Sequence, residues 1–315
     1  MLLALDAGNS NITIGAFDGR TLLFQWRLRT VYEQTADEWG ILLRNLFSPA
    51  GLDIDKVDGM IISSVVPPID STLRFMAQRY FHTEAMFVGP KTDLGIAIRY
   101  DNPNEVGADR LVNGVAGFQK YGGPCIVVDL GTTINFDVIS RDGEYLGGAI
   151  AVGIGMAIDA LFKKTARLPM VDFRPPKSVV GTNTVASMQS GLYYGAIGMI
   201  DGILERTIEV MGPDTKTVAT GGQPAPASKD DLRRPGPSAQ FGDRTAFHQP
   251  APMHPDKQFR LDAFGELPDR APHQVGPRRS VDCDIFVFAA DALDLVDRNA
   301  GDSTGTSQPE LMLVG

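Results

Sequence analysis

Cys125-Ile126-Val127-Val128-Asp129-Leu130-Gly131-Thr132-Thr133-Ile134-Asn135-Phe136-Asp137-Val138-Ile139-Ser140 repeats a pattern that opens the chain, Leu2-Leu3-Ala4-Leu5-Asp6-Ala7-Gly8-Asn9-Ser10-Asn11-Ile12-Thr13-Ile14-Gly15-Ala16-Phe17. Each copy is an apolar run, an Asp-x-Gly turn and a β-like return run, the pattern of a hairpin with a polar tip. The first copy ends in an Asp18-Gly19 turn, a strong local turn signal. A strand–aspartate–glycine–strand unit occurring twice predicts two lobes of like topology, with a cleft between the two tips.

Outward from these hairpins, strand and helix patterns alternate. Trp39, Leu42, Leu43 and Leu46 fall on one helical face from Thr35 to Phe47, with Gly51 beyond as a stop. Met60 to Val66 reads as a buried strand before Pro67-Pro68, and Ser71 to Tyr80 as a helix. Arg110 to Gln119 reads as a helix, Gly147 to Phe162 as a Gly-rich turn entering a helix, and Thr184 to Val210 as a long helix containing Gly191 and Gly195. Thr217 to Thr220 is a strand closed by Gly221-Gly222. This alternation is that of an α/β protein. The expected organisation is an N-terminal lobe over 1–118, a second lobe over 119–223, and a tail over 224–315.

The tail differs in kind. Ten prolines from Pro224 to Pro277 interrupt it, and His248, His254 and His273 are three of the chain's 4 histidines. Such a stretch predicts an irregular, largely disordered segment over 224–280, because it sustains neither helices nor central strands and buries little. Ile285 to Phe288 reads as a strand and Ala289 to Val296 as a short helix. The abrupt change after Gln223 suggests a reading-frame change near that codon.

Composition narrows the partners. A net charge of -9 argues against binding nucleic acid or an anionic membrane, since phosphate neutralisation needs a basic face. The uncharged stretch from Tyr145 to Ile158, closed by Glu144 and Asp159, is too short to span a bilayer. The only cysteines, Cys125 and Cys283, have no metal or redox spacing and read as free thiols. The amino terminus reaches Asp6 too soon for a signal peptide, so a cytoplasmic protein with a small-molecule partner is expected.

Two Asp-x-Gly tips suit phosphate chemistry, because glycine lets backbone N–H groups approach anionic oxygens while carboxylates hold a cation or its waters. One such tip alone reads as a polar turn; two at matching positions favour ATP. A third constellation is Tyr100-Asp101-Asn102-Pro103-Asn104-Glu105-Val106-Gly107-Ala108-Asp109-Arg110. Asp109 at the mouth of a helix is equally a helix cap or a general base toward an attacking hydroxyl, with Arg110 beside it for an anionic substrate group. Gly181 to Thr184 with Ser190-Gly191 reads first as helix capping, and His82, without a partner motif, as a structural or surface histidine.

Together these segments resemble the type III pantothenate kinases, a branch of the superfamily of acetate and sugar kinases, chaperones and actin. The resemblance runs in order over residues 1–223. It comprises Asp6-Ala7-Gly8-Asn9-Ser10, Asp101-Asn102-Pro103 through Gly107-Ala108-Asp109-Arg110, Asp129-Leu130-Gly131-Thr132, Tyr145-Leu146-Gly147-Gly148-Ala149-Ile150, Gly181 to Thr184 with Ser190-Gly191, and Thr220-Gly221-Gly222. It implies lobes of ribonuclease H-like, actin-like ATPase topology and ATP-dependent phosphorylation of pantothenate to 4'-phosphopantothenate, the first step toward coenzyme A. It further implies Mg2+, a monovalent cation such as K+ or NH4+, and a homodimer. By position, Asp109 would be the general base. Asp6, Ala7, Gly8, Asn9, Ser10, Asn11, Ile12, Thr13 and Thr132 would contact ATP, and Asp129 would bind the monovalent cation. Tyr100, Gly107, Ala108, Asp109, Arg110 and Thr184 would hold pantothenate. The chain departs from the family pattern at Asn135, at Val152, where proline is common, and after Gly222. The alternatives are a regulatory or binding relative like the Bvg accessory factor, an inactive product of the altered tail, and a kinase for another small substrate.

Overall fold

In a computed structural model, residues 1–222 are described, so the expectations for 224–280, Ile285–Phe288, Ala289–Val296 and Cys283 lie outside the described residues. The described chain forms two compact units, 1–120 with 143–147, and 121–142 with 148–222.

The first unit is built on β1 (Leu2–Ala7), β2 (Asn11–Asp18), β3 (Thr21–Arg29), β4 (Gly59–Ser64) and β5 (Ala85–Phe87), in the order β3-β2-β1-β4-β5. β1 lies antiparallel to β2 and parallel to β4, which lies parallel to β5. β1 is apolar at nearly every position because both its faces are buried. On one face Leu3, Leu5, Ala7, Ile12, Ile14, Met60 and Ile62 join Trp39 and Leu43 of α1 (Ala36–Phe47) and Ile69, Leu73 and Met76 of α2 (Pro67–Phe81) in a single core. Asp6 and its register partners Thr13 and Ser63 belong to the opposite face.

Local chemistry fixes the helix ends. Thr35 caps α1 in a reciprocal box with Glu38, each side chain meeting the other residue's backbone N–H. α2 begins at Pro67, earlier than the expected Ser71. Pro67 lacks the N–H that the first turn leaves unmet, and the Ser64 hydroxyl accepts from the Val66 N–H while donating to Asp70 Oδ1 at 2.5 Å. His82 ends α2, exposed, in the left-handed region at φ 53, its backbone N–H donating to the Ala77 carbonyl. α3 (Ala108–Tyr121) is buried almost all round from Ala108 to Gly117.

The sheet of the second unit orders β6 (Cys125–Leu130), β7 (Thr133–Ile139), β8 (Tyr145–Val152, of which 145–147 count with the first unit) and β9 (Lys216–Thr220) as β8-β7-β6-β9. Cys125, the first residue of β6, is buried. α4 (Ile154–Lys164) and α5 (Thr184–Met211) complete the unit. Its core gathers Ile126, Val128, Leu130, Ile134, Phe136, Ile200 and Leu204. β8 corrects the sequence reading, which took Gly147 onward as a turn. Gly147 and Gly148 sit at φ 113 and 158, and pairing with β7 holds the stretch as a strand.

The two sheets share one topology, strand for strand. β1 meets antiparallel β2 and parallel β4 just as β6 meets antiparallel β7 and parallel β9. The register equates Asp6, flanked by Thr13 and Ser63, with Asp129, flanked by Asn135 and Thr220. The first sheet continues past β4 to β5, whereas among the described residues the second ends at β9. Among the described residues no helix is long and apolar enough to cross a membrane.

Candidate active site

Asp6 lies one residue from the end of β1, and Gly8, Asn9 and Ser10 form the tip that leads into Asn11, Ile12 and Thr13 of β2. The Gly8 N–H donates to the Asn11 carbonyl at 3.0 Å, closing the turn. Residues distant in sequence hold the tip from the β3 side. Thr30 gives its N–H to the Ser10 carbonyl at 3.0 Å and its hydroxyl to the Gly8 carbonyl at 2.6 Å. The Tyr32 hydroxyl donates to Asn9 Oδ1 at 3.3 Å. Neither Thr30 nor Tyr32 was singled out in the sequence, for they lie outside the motif and act only through the β2–β3 pairing.

Asp109 occupies the first turn of α3 rather than its cap, since the helix already begins at Ala108. Its Oδ1 accepts from the Arg110 N–H at 2.7 Å. Burial pushes the Asp109 carboxyl above the ordinary aspartate range, and the Arg110 N–H and guanidinium oppose that rise without cancelling it. A side chain at Gly107 would crowd Asp109 Oδ1 and meet Val65 Cγ1 at 3.3 Å. The Val65 N–H in turn donates to the Ala7 carbonyl at 3.1 Å. Val65 thus ties the end of β1 to the mouth of α3, bringing two motifs separated by about a hundred residues into one neighbourhood.

Tyr145 organises the other side of this cluster. It is 0% exposed, and its backbone brackets the segment before Tyr100, accepting from the Arg99 N–H and donating to the Ala97 carbonyl, each at 2.8 Å. The guanidinium of Arg110, 6% exposed, lies 5.8 Å from the Tyr145 ring centroid, and the Tyr100 ring is tilted against Tyr145 at 6.5 Å. The Tyr100 ring edge also sits 3.1 Å from where a Cβ at Gly147 would lie, so glycine there leaves room for that ring. Tyr145 belongs to a motif read from sequence, yet its work as a platform for Arg110 and Tyr100 had no local signal.

In the second unit the Asp129–Thr132 tip is closed by the Gly131 N–H donating to the Thr133 carbonyl at 3.0 Å. Two backbones approach it where only glycine fits. A Cβ at Gly153, just ahead of α4, would overlap the Thr132 carbonyl oxygen, and one at Gly221 would stand 2.6 Å from the Leu130 backbone. The Thr220-Gly221-Gly222 turn therefore lies against the tip. Asn135, opposite Asp129 in register, accepts through Oδ1 from the Thr133 hydroxyl at 3.1 Å, so the departure there folds into the return strand. Val152 ends β8, half exposed, in extended backbone that needs no proline.

Thr184 is the exposed first residue of α5, and the capping reading of its neighbourhood is met by Asn183, whose Oδ1 accepts from the Ala186 N–H at 2.9 Å. The Ser190 hydroxyl is turned inward to the Val179 carbonyl. The first unit thus carries Asp6 to Thr13, Tyr100 and Gly107 to Arg110, and the second carries Asp129, Thr132 and Thr184.

Among the described residues no group of three or more His, Cys, Asp or Glu side chains could hold a metal ion. A cation at either tip would be bound by no more than two such side chains of the described residues, with waters and ligand oxygens. That suits Mg2+, which keeps several waters and is commonly held by one or two carboxylates together with substrate phosphates. A buried hydroxyl in register with Asp6, Ser63 Oγ, has no hydrogen-bond partner among the described residues, which is the acceptor such bound water needs.

The profile of the family described as type III pantothenate kinase matches residues 2–206. A type III pantothenate kinase from Solibacter usitatus is 82% identical over 223 residues, which cover 71% of this chain and 85% of the relative. One from Koribacter versatilis is 55% identical over 233 residues, covering 70% and 85%. Among solved structures, a Baf family transcriptional activator from Campylobacter jejuni aligns with a TM-score of 0.42 at 18% identity, over 70% of this chain and 83% of that one.

Proposed function

Since this chain belongs to the type III pantothenate kinase family, we propose that it transfers the γ-phosphoryl group of ATP to the primary hydroxyl of pantothenate, giving 4'-phosphopantothenate and ADP. The observation that carries the mechanism is Asp109. It is a carboxylate raised by burial, held in the first turn of α3 and tied through Gly107 and Val65 to the phosphate hairpin.

In this reading Asp109 accepts the proton of the attacking hydroxyl as the new P–O bond forms and ADP leaves. Arg110, steadied on Tyr145, offers its guanidinium to the pantothenate carboxylate, and Tyr100, Gly107, Ala108 and Thr184 complete the substrate contacts. Asp6, Ala7, Gly8, Asn9, Ser10, Asn11, Ile12, Thr13 and Thr132 contact ATP, whose anionic oxygens suit glycine-turn N–H groups. Mg2+ would neutralise charge on the transferring phosphates, with Asp6 as its carboxylate, and a monovalent cation would sit at Asp129. Catalysis of phosphoryl transfer is mostly positioning and charge stabilisation, and these residues supply both.

The test is ADP release by the full chain with ATP, Mg2+ and K+, with and without pantothenate. Turnover that requires pantothenate is the expected result; turnover indifferent to pantothenate, or none from a cooperatively folded sample, overturns the reading.

A homodimer completes the proposal. Ile150 and Val152 of β8 and Met156 and Phe162 of α4 are all exposed, apolar side chains of the kind a second copy would cover. Sedimentation should give twice the chain mass of 34.0 kDa at micromolar concentration, and a purely monomeric species would refute this part alone.

A further inference from the structure

Two adjacent serines end β4 and point to opposite sides of the sheet. Ser64, in register with Ala7 on the core side, is fully used: its hydroxyl donates to Asp70 and accepts from the Val66 N–H. Ser63, in register with Asp6, shares the aspartate's face. It is 4% exposed, and its Oγ has no hydrogen-bond partner among the described residues. An unmet buried hydroxyl carries a desolvation penalty comparable to a whole hydrogen bond, so a serine serving only packing would be better replaced by alanine.

The second sheet supplies an independent observation. There Asp129 stands in register with Thr220, as Asp6 does with Ser63. Both parallel ladders set a hydroxyl residue beside the tip aspartate, although neither Ser63 nor Thr220 is needed to pair the strands.

We propose that Ser63 is a positioning residue for the nucleotide's divalent cation, its hydroxyl accepting a hydrogen bond from a water of the cation's shell at Asp6. The inference rests on the kinase reading above. Mg2+ sheds water reluctantly, its bound waters are strong donors, and Asp6 alone cannot accept from all of them. A buried serine oxygen on the same face fixes one such water and with it the orientation of the shell. Ser63 touches neither substrate nor the reacting phosphorus.

The test is calorimetric titration of the full chain with the non-hydrolysable analogue AMP-PNP, once in Mg2+ and once in EDTA. Ser63→Ala should weaken binding roughly two- to tenfold in Mg2+, as loss of one hydrogen bond does, and leave the EDTA affinity unchanged. Its unfolding midpoint should equal or exceed the parent's, and Ser63→Thr, the hydroxyl residue that the second sheet uses, should recover affinity in Mg2+. Unchanged affinity in Mg2+, or an equal loss in both media, overturns the proposal, the latter by showing a packing effect blind to the cation. Should Ser63→Ala fail to fold, Ser63→Cys carries the same comparison with a weak hydrogen-bonding group of similar shape. A parent chain that binds no analogue would overturn the kinase reading with it, whereas equal parent and variant affinities remove Ser63 alone.

Discussion

Asp109→Asn should lower kcat/KM for pantothenate by about a hundred- to ten-thousand-fold, the usual cost of removing a positioned general base, with little change in KM for ATP. The amide keeps the shape of the side chain and can still accept from the Arg110 N–H, so the first turn of α3 is retained. The pH profile adds a second readout. Burial raises the Asp109 pKa above its reference of 3.8, so the active, ionised base is gained only as pH rises through that elevated value. The acid limb of kcat/KM should therefore lie above the ordinary carboxylate range in the parent and vanish from the residual activity of the variant. Stability moves the opposite way. A folded state that holds this proton more tightly than the unfolded chain loses stability as pH rises through the same window, a loss the asparagine variant is spared. Equal or higher thermal midpoints at neutral pH with activity lost is the expected pair of results; retained activity would take Asp109 out of the mechanism.

Gly153→Ala should be the most damaging substitution among the glycines of the second tip. The backbone at Gly153 has φ -71, open to any residue, so the obstacle is space alone. The added carbon would overlap the Thr132 carbonyl oxygen and stand 2.8 Å from that of Gly131, and backbone cannot swing aside as the end of a long side chain can. Overpacking of this kind costs about 1–3 kcal/mol, or displaces the tip instead. Displacement moves the N–H groups proposed to meet phosphate, so AMP-PNP affinity should fall by about tenfold or more, the equivalent of some 1.4 kcal/mol. Gly153→Ser sharpens the test. Gly153 precedes α4 as its N-cap, where serine ordinarily stabilises; here serine should destabilise as alanine does. An unchanged thermal midpoint and affinity in both variants would show that the tip yields freely.

Much of this was legible in order along the chain. The two hairpins follow from apolar runs broken by Asp-x-Gly, and α1 from periodicity and its bounding residues. The candidate residues of the first tip and of the Gly107–Arg110 segment are contiguous in sequence, so their motifs are legible without a fold. β3 was not read, because an edge strand with Leu22 and Leu23 exposed has no clean alternation, and β5 is three residues long. β8 was read as a turn because glycine permits nearly any backbone, and only the ladder to β7 selects the strand.

The sequence by itself determined the repeated strand–aspartate–glycine–strand units, the aspartates at their tips and the glycines beside them, since each depends on a few neighbouring residues. Only the tertiary structure decided that Val65 joins β1 to α3, that Tyr145 carries Arg110 and Tyr100, that Thr30 pins the first tip, and that Ser63 stands beside Asp6 with its hydroxyl unmet by another side chain. Those relations are set by strand register and by packing between residues far apart in the chain, and hydrophobic periodicity within a segment carries no information about which distant segment it will meet.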